Sequence, residues 1–287
     1  MPKSKKRVSP PLVDMSYLDL NNLDLDRAYS LQEFEYISEQ LKTRPIKVKE
    51  EFVYHFERDK AGKLVPMAPT IIYKEAVVAE IARQLGNWNV WTKQGGVVTT
   101  SQGGFKFGSG SGEIRIPDVA FTSKEICHRL SNRQIWTFQG EAFSPTVVVE
   151  VDDFDNIQGS KFREMDSKFK DIYFARGTSV KIGLLIDPKN HHIWLYRRNA
   201  GTNVVRRRKS QWQNLVLNDI LPGFTLLVDQ LEIEPLVNPV TSSSPMSTES
   251  TQSSEKEAGR LQFRCPYPSC EETFESIYLT IEHAAHH

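Results

Sequence analysis

The feature that most constrains this chain is a glutamate that directly follows three consecutive valines. Val147-Val148-Val149 is a continuous apolar run, and Glu150 comes next. Such a run is typical of a central strand that is buried on both faces of a sheet. A carboxylate at the end of such a strand is costly unless it is paired, hydrogen-bonded or bound to a metal. The run therefore predicts a central strand that carries a functional carboxylate.

A second carboxylate, Asp118, lies on an earlier candidate strand and follows Pro117. The two acidic residues can meet at one end of a sheet. Convergent carboxylates suit a hard divalent cation such as Mg²⁺. A metal in this position can activate water and stabilise a phosphodiester transition state. The pair Asp118 and Glu150 therefore predicts a hydrolytic metal site.

The hydrophobic periodicity predicts helices and strands in a mixed order, which is typical of an α/β sheet with helices packed on it. Ser30 followed by Glu33 predicts a capping box at the first helix, and Gly86 is expected to end the second. The predicted helices are residues 31–41, 73–85 and 161–175. The predicted strands are residues 51–56, two strands joined by a turn within 95–107, and residues 114–121, 147–149, 180–186, 192–197, 212–217 and 224–233.

Composition divides the chain into four parts. We expect a basic, disordered tail at residues 1–29, a main domain at 30–237, a disordered linker rich in Ser and Thr at 238–260, and a small unit at 261–287. Because 36 Lys and Arg balance 36 Asp and Glu, a uniformly basic nucleic-acid binder is excluded. Neither a membrane-spanning run nor a disulfide framework is expected, and the sequence leaves the oligomeric state open.

The N-terminal tail carries Lys3, Lys5, Lys6 and Arg7 without an acidic residue. This run either is a short nuclear import signal or is a solvated tail. With few cysteines and no secretory signal, we expect an intracellular and nuclear protein.

Several short motifs occur in a characteristic order over residues 30–235. They are Met67-Ala68-Pro69-Thr70, Ile116-Pro117-Asp118-Val119, Val148-Val149-Glu150-Val151, Tyr173-Phe174-Ala175-Arg176-Gly177, Gly183-Leu184-Leu185-Ile186-Asp187-Pro188 and Leu221-Pro222-Gly223-Phe224. In this order they resemble the Uma-type restriction endonuclease family of the PD-(D/E)xK nuclease superfamily. The resemblance implies a restriction-endonuclease-like mixed sheet flanked by helices.

The resemblance also implies roles for individual residues. Asp118 and Glu150 would bind Mg²⁺, and Glu80 on the first helix of the motif would complete the acidic site or orient a water. A lysine is expected two residues after Glu150, but Asp152 stands there.

In this family the basic residue is often moved to the following helix, where Lys161, Lys168 and Lys170 are available. We choose Lys168. Asp152 is then either a third carboxylate or the mark of a site that has lost its activity.

A basic run, Arg206-Arg207-Arg208-Lys209, precedes Trp212. It either contacts phosphates, where each contact adds affinity that salt removes, or forms the solvated rim of a hairpin.

The C-terminal residues have the spacing of a Cys-Cys-His-His zinc finger. Thiolate and imidazole are the ligands of tetrahedral Zn²⁺ sites, and the predicted set is Cys265, Cys270, His283 and His287, with His286 as an alternative to the last. The predicted ββα unit carries four glutamates at 271, 272, 275 and 282 and no basic residue from 271 onward. Because such a surface repels phosphate, we expect a protein partner for the finger.

Together these features predict a metal-dependent endonuclease that hydrolyses DNA phosphodiester bonds and is coupled to a zinc-finger module. DNA would bind through the nuclease domain. The alternatives are a catalytically inactive nuclease fold that serves as a binding module and a zinc-finger regulator.

Overall fold

A computed structural model of the chain describes residues 15–48, 51–67, 69–108, 112–199, 202, 204–233, 263–264 and 272–274. The chain divides into two compact units, Met1–Val240 and Thr241–His287. The elements of the larger unit follow in the order α1 (Leu31–Leu41), β1 (Ile46–Val48), β2 (Glu51–Val53), β3 (His55–Arg58), β4 (Leu64–Met67), α2 (Ile72–Trp91), β5 (Val97–Thr100), β6 (Phe105–Phe107), β7 (Glu113–Arg115), β8 (Val119–Thr122), α3 (Lys124–Cys127), α4 (Asn132–Trp136), β9 (Val147–Val151), α5 (Ser160–Ser167), a π-helical turn (Lys168–Tyr173), β10 (Ile182–Asp187), β11 (His192–Arg198), β12 (Val205–Ser210), β13 (Leu215–Val216), β14 (Thr225–Leu226) and a 3-10 turn (Asp229–Leu231).

The central sheet has six strands in the order β12-β11-β10-β9-β8-β5. β9 and β10 are parallel, and the other neighbours are antiparallel. All five residues of β9 are buried, as its apolar run predicts. A mixed α/β architecture is therefore confirmed.

The two faces of this sheet pack against different layers. Successive residues of a strand face opposite sides, so Val147, Val149 and Val151 pack with α2 and the segment from β13 onward. Val148 packs on the other side with α5, the π-helical turn and β6. Glu150 shares the face of Val148, and so its side chain is directed toward α5 and the π-helical turn.

A second sheet has four strands in the order β4-β3-β7-β6. It packs with α1, whose capping box between Ser30 and Glu33 is present as predicted. The expected disordered tail does not extend to residue 29. Five apolar residues before α1 are buried in the hydrophobic cluster that α1 forms with the second sheet. They are Met15, Leu18, Leu20, Leu23 and Tyr29.

Helix α2 differs from its predicted end at Gly86. It continues to Trp91, although an interior glycine costs about 1 kcal/mol relative to alanine. The added turn places Trp88 against Phe121 and Phe224, and its indole N–H donates to the carbonyl of Pro222 at 2.9 Å. Burial of a tryptophan outweighs the cost of the glycine.

In the smaller unit, β15 (Phe263–Arg264) pairs antiparallel with β16 (Thr273–Phe274). The predicted zinc ligands Cys265, Cys270, His283 and His287 lie outside the described residues, as do the basic run at residues 3–7 and the predicted linker at 238–260. Within the described ranges, no helix combines the length and apolar character that crossing a membrane requires.

Candidate active site

Asp118 and Glu150 lie next to each other at one end of the central sheet. Val119 on β8 is paired with Val149 on β9, so the antiparallel register carried one residue further sets Asp118 opposite Glu150. The backbone N–H of Val151 donates to Oδ2 of Asp118 at 2.8 Å. Both carboxylates are buried.

Pro117 explains why Asp118 stands where it does. The predicted strand 114–121 is in fact two strands that belong to different sheets, β7 and β8. Proline has no N–H for a sheet ladder, and the chain leaves the second sheet here and enters the central one at Val119. Asp118 lies at this crossing, before β8 begins.

Two side chains from the π-helical turn bind Glu150. Nζ of Lys168 lies 3.0 Å from Oε1 of Glu150, and the hydroxyl of Tyr173 donates to the same oxygen. On an α-helix, side chains five residues apart point in directions that differ by about 140°. The i→i+5 bonding of a π-helix puts more residues into each turn and so brings these two side chains closer to the same face. The predicted helix 161–175 therefore changes to π geometry at the point where Lys168 and Tyr173 must share a face.

The second sheet contributes a chain of buried charges behind Lys168. Glu57 on β3 accepts from Nζ of Lys168 at 3.1 Å and from the backbone N–H of Ile116 at 2.9 Å. Arg115 on β7 donates to Glu57 at 3.0 Å and to Glu113 at 2.6 Å. Lys168 thus lies between a carboxylate of each sheet.

A second lysine approaches the carboxylate pair from α2. Nζ of Lys74 lies 3.4 Å from Oδ2 of Asp118. Asp118 and Glu150 therefore each have one lysine partner, which offsets part of the cost of burying two adjacent acids.

These contacts set the protonation of the site. Burial raises the pKa of Glu150 to about 7; Lys168 opposes this shift, and Asp118 and Glu57 add to it. Burial alone would lower the pKa of Lys168, but Glu150 and Glu57 outweigh it and hold that pKa above its ordinary value. Burial and the nearby Glu150 raise the pKa of Tyr173, so this residue stays a proton donor.

The donor set fits a Mg²⁺ ion. Within the described residues, no hydrogen bond or ion pair engages Oδ1 of Asp118 or Oε2 of Glu150. No group of three His, Cys, Asp or Glu side chains in the described ranges could hold a metal. Mg²⁺ is commonly held by one or two carboxylates, with water and substrate phosphate completing its shell. Asp118 and Glu150 would be those two ligands.

The other predicted residues lie elsewhere. Glu80 pairs with Arg83 at 2.6 Å and accepts from Gln84 at 2.9 Å, so no contact connects it to Asp118 or Glu150, and its catalytic role stays a prediction. Among the alternatives to Lys168, Lys170 pairs with Asp166.

Asp152 does not join the carboxylate pair through any contact. It pairs with Lys161 at 2.9 Å. Lys168 is the lysine that contacts Glu150.

The basic run 206–209 forms β12, an edge strand of the central sheet. Lys209 pairs with Trp194, Trp194 with Leu185, and Leu185 with Glu150. Lys209 therefore lies in the same row and on the same face as Glu150, three strand spacings or roughly 14 Å away. Arg207 faces the same side and pairs with Asp166 at 2.9 Å.

Sequence reasoning missed Glu57, Arg115 and Lys74. The contact between Glu57 and Arg115 joins residues 58 positions apart, and a single charged residue on a short strand gives no local signal of such a partner. The one available signal was that Glu57 directly follows the predicted strand 51–56.

The chain is similar to a protein family and to a solved structure. The family model described as "Uma2: Putative restriction endonuclease" matches residues 39–229. A solved structure described as a putative nuclease belonging to DUF820 from Anabaena variabilis is 12% identical, covers 68% of this chain and 96% of its own, and gives a TM-score of 0.43. A comparison with curated protein sequences found no match.

Proposed function

The chain belongs to the Uma2 putative restriction endonuclease family, and from this premise we propose that it is a metal-dependent endonuclease that hydrolyses DNA phosphodiester bonds. The observation that supports the proposal most is the convergence of Asp118, Glu150 and Lys168 at one end of the central sheet. Two carboxylates and one lysine are the groups that such a reaction requires.

Each residue has a distinct task in this proposal. Asp118 and Glu150 would hold Mg²⁺, which would activate water and stabilise charge on the phosphate. Lys168, protonated and only 19% exposed, offsets the negative charge that grows on the phosphate oxygens. Tyr173 fixes the orientation of Glu150, and Lys74 neutralises part of the charge of Asp118.

The proposal is tested by incubating the purified chain with supercoiled plasmid DNA and Mg²⁺ or Mn²⁺. We expect nicked and then linear DNA, no product in the presence of a chelator, and no product from Asp118→Asn prepared in the same way. If the wild-type chain cleaves no DNA, the proposal fails and the inactive binding module is favoured.

The raised pKa of Glu150 predicts a pH-dependent metal affinity. A proton and a metal ion compete for this carboxylate, so affinity should rise as pH increases through about 7. From about pH 6 to about pH 8 we expect Mn²⁺ to bind about tenfold more tightly. The Mn²⁺ affinity is measured at each pH by titration, with electron paramagnetic resonance reporting the free ion. An affinity that does not change with pH, or that is higher at low pH, would contradict the assignment.

We further propose that Lys209 on β12 contacts the phosphate backbone. Lys209 is exposed, and no ion pair engages it among the described residues. Arg206 and Arg208 are also exposed, but they alternate with Lys209 along the strand and face the opposite side of the sheet from Glu150. The separation of roughly 14 Å between Lys209 and Glu150 is comparable to the roughly 12 Å width of a major groove. A duplex with one phosphate at Glu150 can thus present another near Lys209.

Replacing Lys209 by alanine should weaken DNA binding at every sequence. Each lost phosphate contact lowers the slope of log affinity against log salt by about 0.9. Fluorescence anisotropy at several salt concentrations measures the slope. Lys60→Ala, an exposed lysine on a turn before β4, is the control and should leave it unchanged. An unaltered slope in Lys209→Ala would show that β12 is only a solvated edge.

For the C-terminal unit we propose a zinc finger with Cys265, Cys270, His283 and His287 as ligands. The antiparallel pair β15–β16 brackets both cysteines, which is the arrangement of the hairpin in a ββα finger. The four glutamates between 271 and 282 favour a protein partner for this unit, and the basic run at residues 3–7 supports nuclear localisation.

The finger predicts one Zn²⁺ per chain. Elemental analysis of protein purified without a chelator should give this ratio. Cys270→Ser should lose the ion, because a site with three ligands binds zinc far more weakly. Cys127→Ser, which changes a half-buried cysteine of the larger unit, is the control. A metal-free wild-type chain, or zinc retained by Cys270→Ser, would contradict the ligand set.

A further inference from the structure

Lys168 makes its second ion pair with a residue outside the sheet that carries Glu150. Its Nζ lies 3.0 Å from Oε1 of Glu150 and 3.1 Å from Oε1 of Glu57. Glu57 belongs to β3 of the second sheet. The ammonium group is therefore held from two sides by carboxylates of two different layers.

Glu57 is itself fixed on three sides. The backbone N–H of Ile116 donates to Oε1, the oxygen that Lys168 contacts. Arg115 donates to the other oxygen at 3.0 Å. Burial would raise the pKa of Glu57, but Lys168 and Arg115 outweigh it and keep that pKa below its ordinary value. Glu57 is thus an acceptor that is held by three donors and whose contacts favour the ionised form.

The two carboxylate partners of Lys168 differ in how a bound cation would affect them. Glu150 shares its charge with any cation that binds the carboxylate pair, and its attraction for Lys168 then weakens. Glu57 does not face such a competitor, because its described contacts are to Lys168, Arg115 and Ile116. After metal binding, the position of Lys168 therefore depends on Glu57.

We propose that Glu57 is a positioning residue that holds Lys168 at the phosphate site. Lys168 would then act in place of the lysine that is absent two residues after Glu150, and the second sheet would supply the residue that holds it there. The inference rests on the proposed nuclease function. It explains how a lysine on a helix reaches a fixed place although Asp152 occupies its position in the motif. Glu57 itself does not contact the substrate.

The test compares Glu57→Gln with Glu113→Gln. Both glutamates bind Arg115, but of the two only Glu57 contacts Lys168, so Glu113→Gln reproduces the loss of an Arg115 partner alone. The first readout is the rate at which acetic anhydride labels Lys168, measured by mass spectrometry of the folded chain. Only the neutral amine reacts, and a lost carboxylate neighbour increases its fraction.

In Glu57→Gln we expect labelling of Lys168 to rise about tenfold, which corresponds to one pKa unit. We expect the rate of cleavage at saturating DNA to fall about tenfold to a hundredfold with little change in KM, because a misplaced group acts on the chemical step. Glu113→Gln should leave Lys168 labelling and cleavage near wild-type values. Glu57→Asp, which keeps the charge but shortens the reach, should remain folded and still cleave slowly.

Two results would overturn the proposal. One is wild-type labelling and cleavage in Glu57→Gln, and the other is an equal change in Glu113→Gln. If the wild-type chain does not cleave at all, the nuclease function fails, yet the labelling of Lys168 still decides whether Glu57 holds it. Should Glu57→Gln not fold, Glu57→Asp is compared with Glu113→Gln, and slower cleavage in Glu57→Asp alone is the expected result.

Discussion

Replacing Glu150 by glutamine should lower metal-dependent DNA cleavage by roughly a thousandfold, because a metal ligand that provides several kcal/mol of transition-state stabilisation is lost. The amide keeps an oxygen that accepts from Lys168 and Tyr173, so the local packing is preserved. Lys168 also retains Glu57. The loss should therefore appear in the rate of cleavage and not in the fold.

The rate is measured with a defined duplex under single-turnover conditions. Glu164→Gln, an exposed glutamate on α5, is the matched control and should cleave at the wild-type rate. A Glu150→Gln variant that retains more than about a tenth of the activity would show that this carboxylate is not a metal ligand.

Replacing Phe169 by alanine should reduce the free energy of unfolding by about 3–5 kcal/mol, the usual cost of removing a buried aromatic ring. The ring is fully buried and stacks on Tyr196 with a centroid distance of 4.3 Å. It also lies against Gly183, where a Cβ atom would come within 2.6 Å of the ring. The surrounding sheet cannot collapse into the space that the ring leaves.

Phe169 follows Lys168 in the π-helical turn, so this variant should also lose cleavage activity at temperatures where it is still folded. Urea denaturation measures the stability. Phe52→Ala provides the control, since Phe52 is 57% exposed and its removal should change stability by less than about 0.5 kcal/mol. A loss of under about 1 kcal/mol in Phe169→Ala would contradict the packing described for this face.

The parts of the fold that local patterns determine were predicted well. The three valines before Glu150 indicated a buried strand, and Ser30 with Glu33 indicated the start of α1. Both are local signals, because they depend on strand periodicity and on a cap within one turn. The candidate pair Asp118 and Glu150 could likewise be proposed from the sequence, since Asp118 lies in the predicted strand 114–121 and Glu150 directly follows the predicted strand 147–149.

Features that depend on distant packing were not predicted. Gly86 lies inside α2 because Trp88 finds partners on the central sheet and near Pro222, which no local rule contains. The π geometry after Ser167 lets Lys168 and Tyr173 both contact Glu150, which lies on a distant strand. Glu57 and Arg115 are far apart in the sequence, and the pairing of β3 with β7 brings them close together.

The central claim is that Asp118 and Glu150 jointly hold one divalent cation. A crystal structure of the chain grown with Mn²⁺, with data collected at the manganese absorption edge, tests it most directly. The account predicts an anomalous peak that is coordinated by one oxygen of each carboxylate, with Lys74 withdrawn from Asp118. A peak at other residues, or none between these two carboxylates at saturating Mn²⁺, would contradict it.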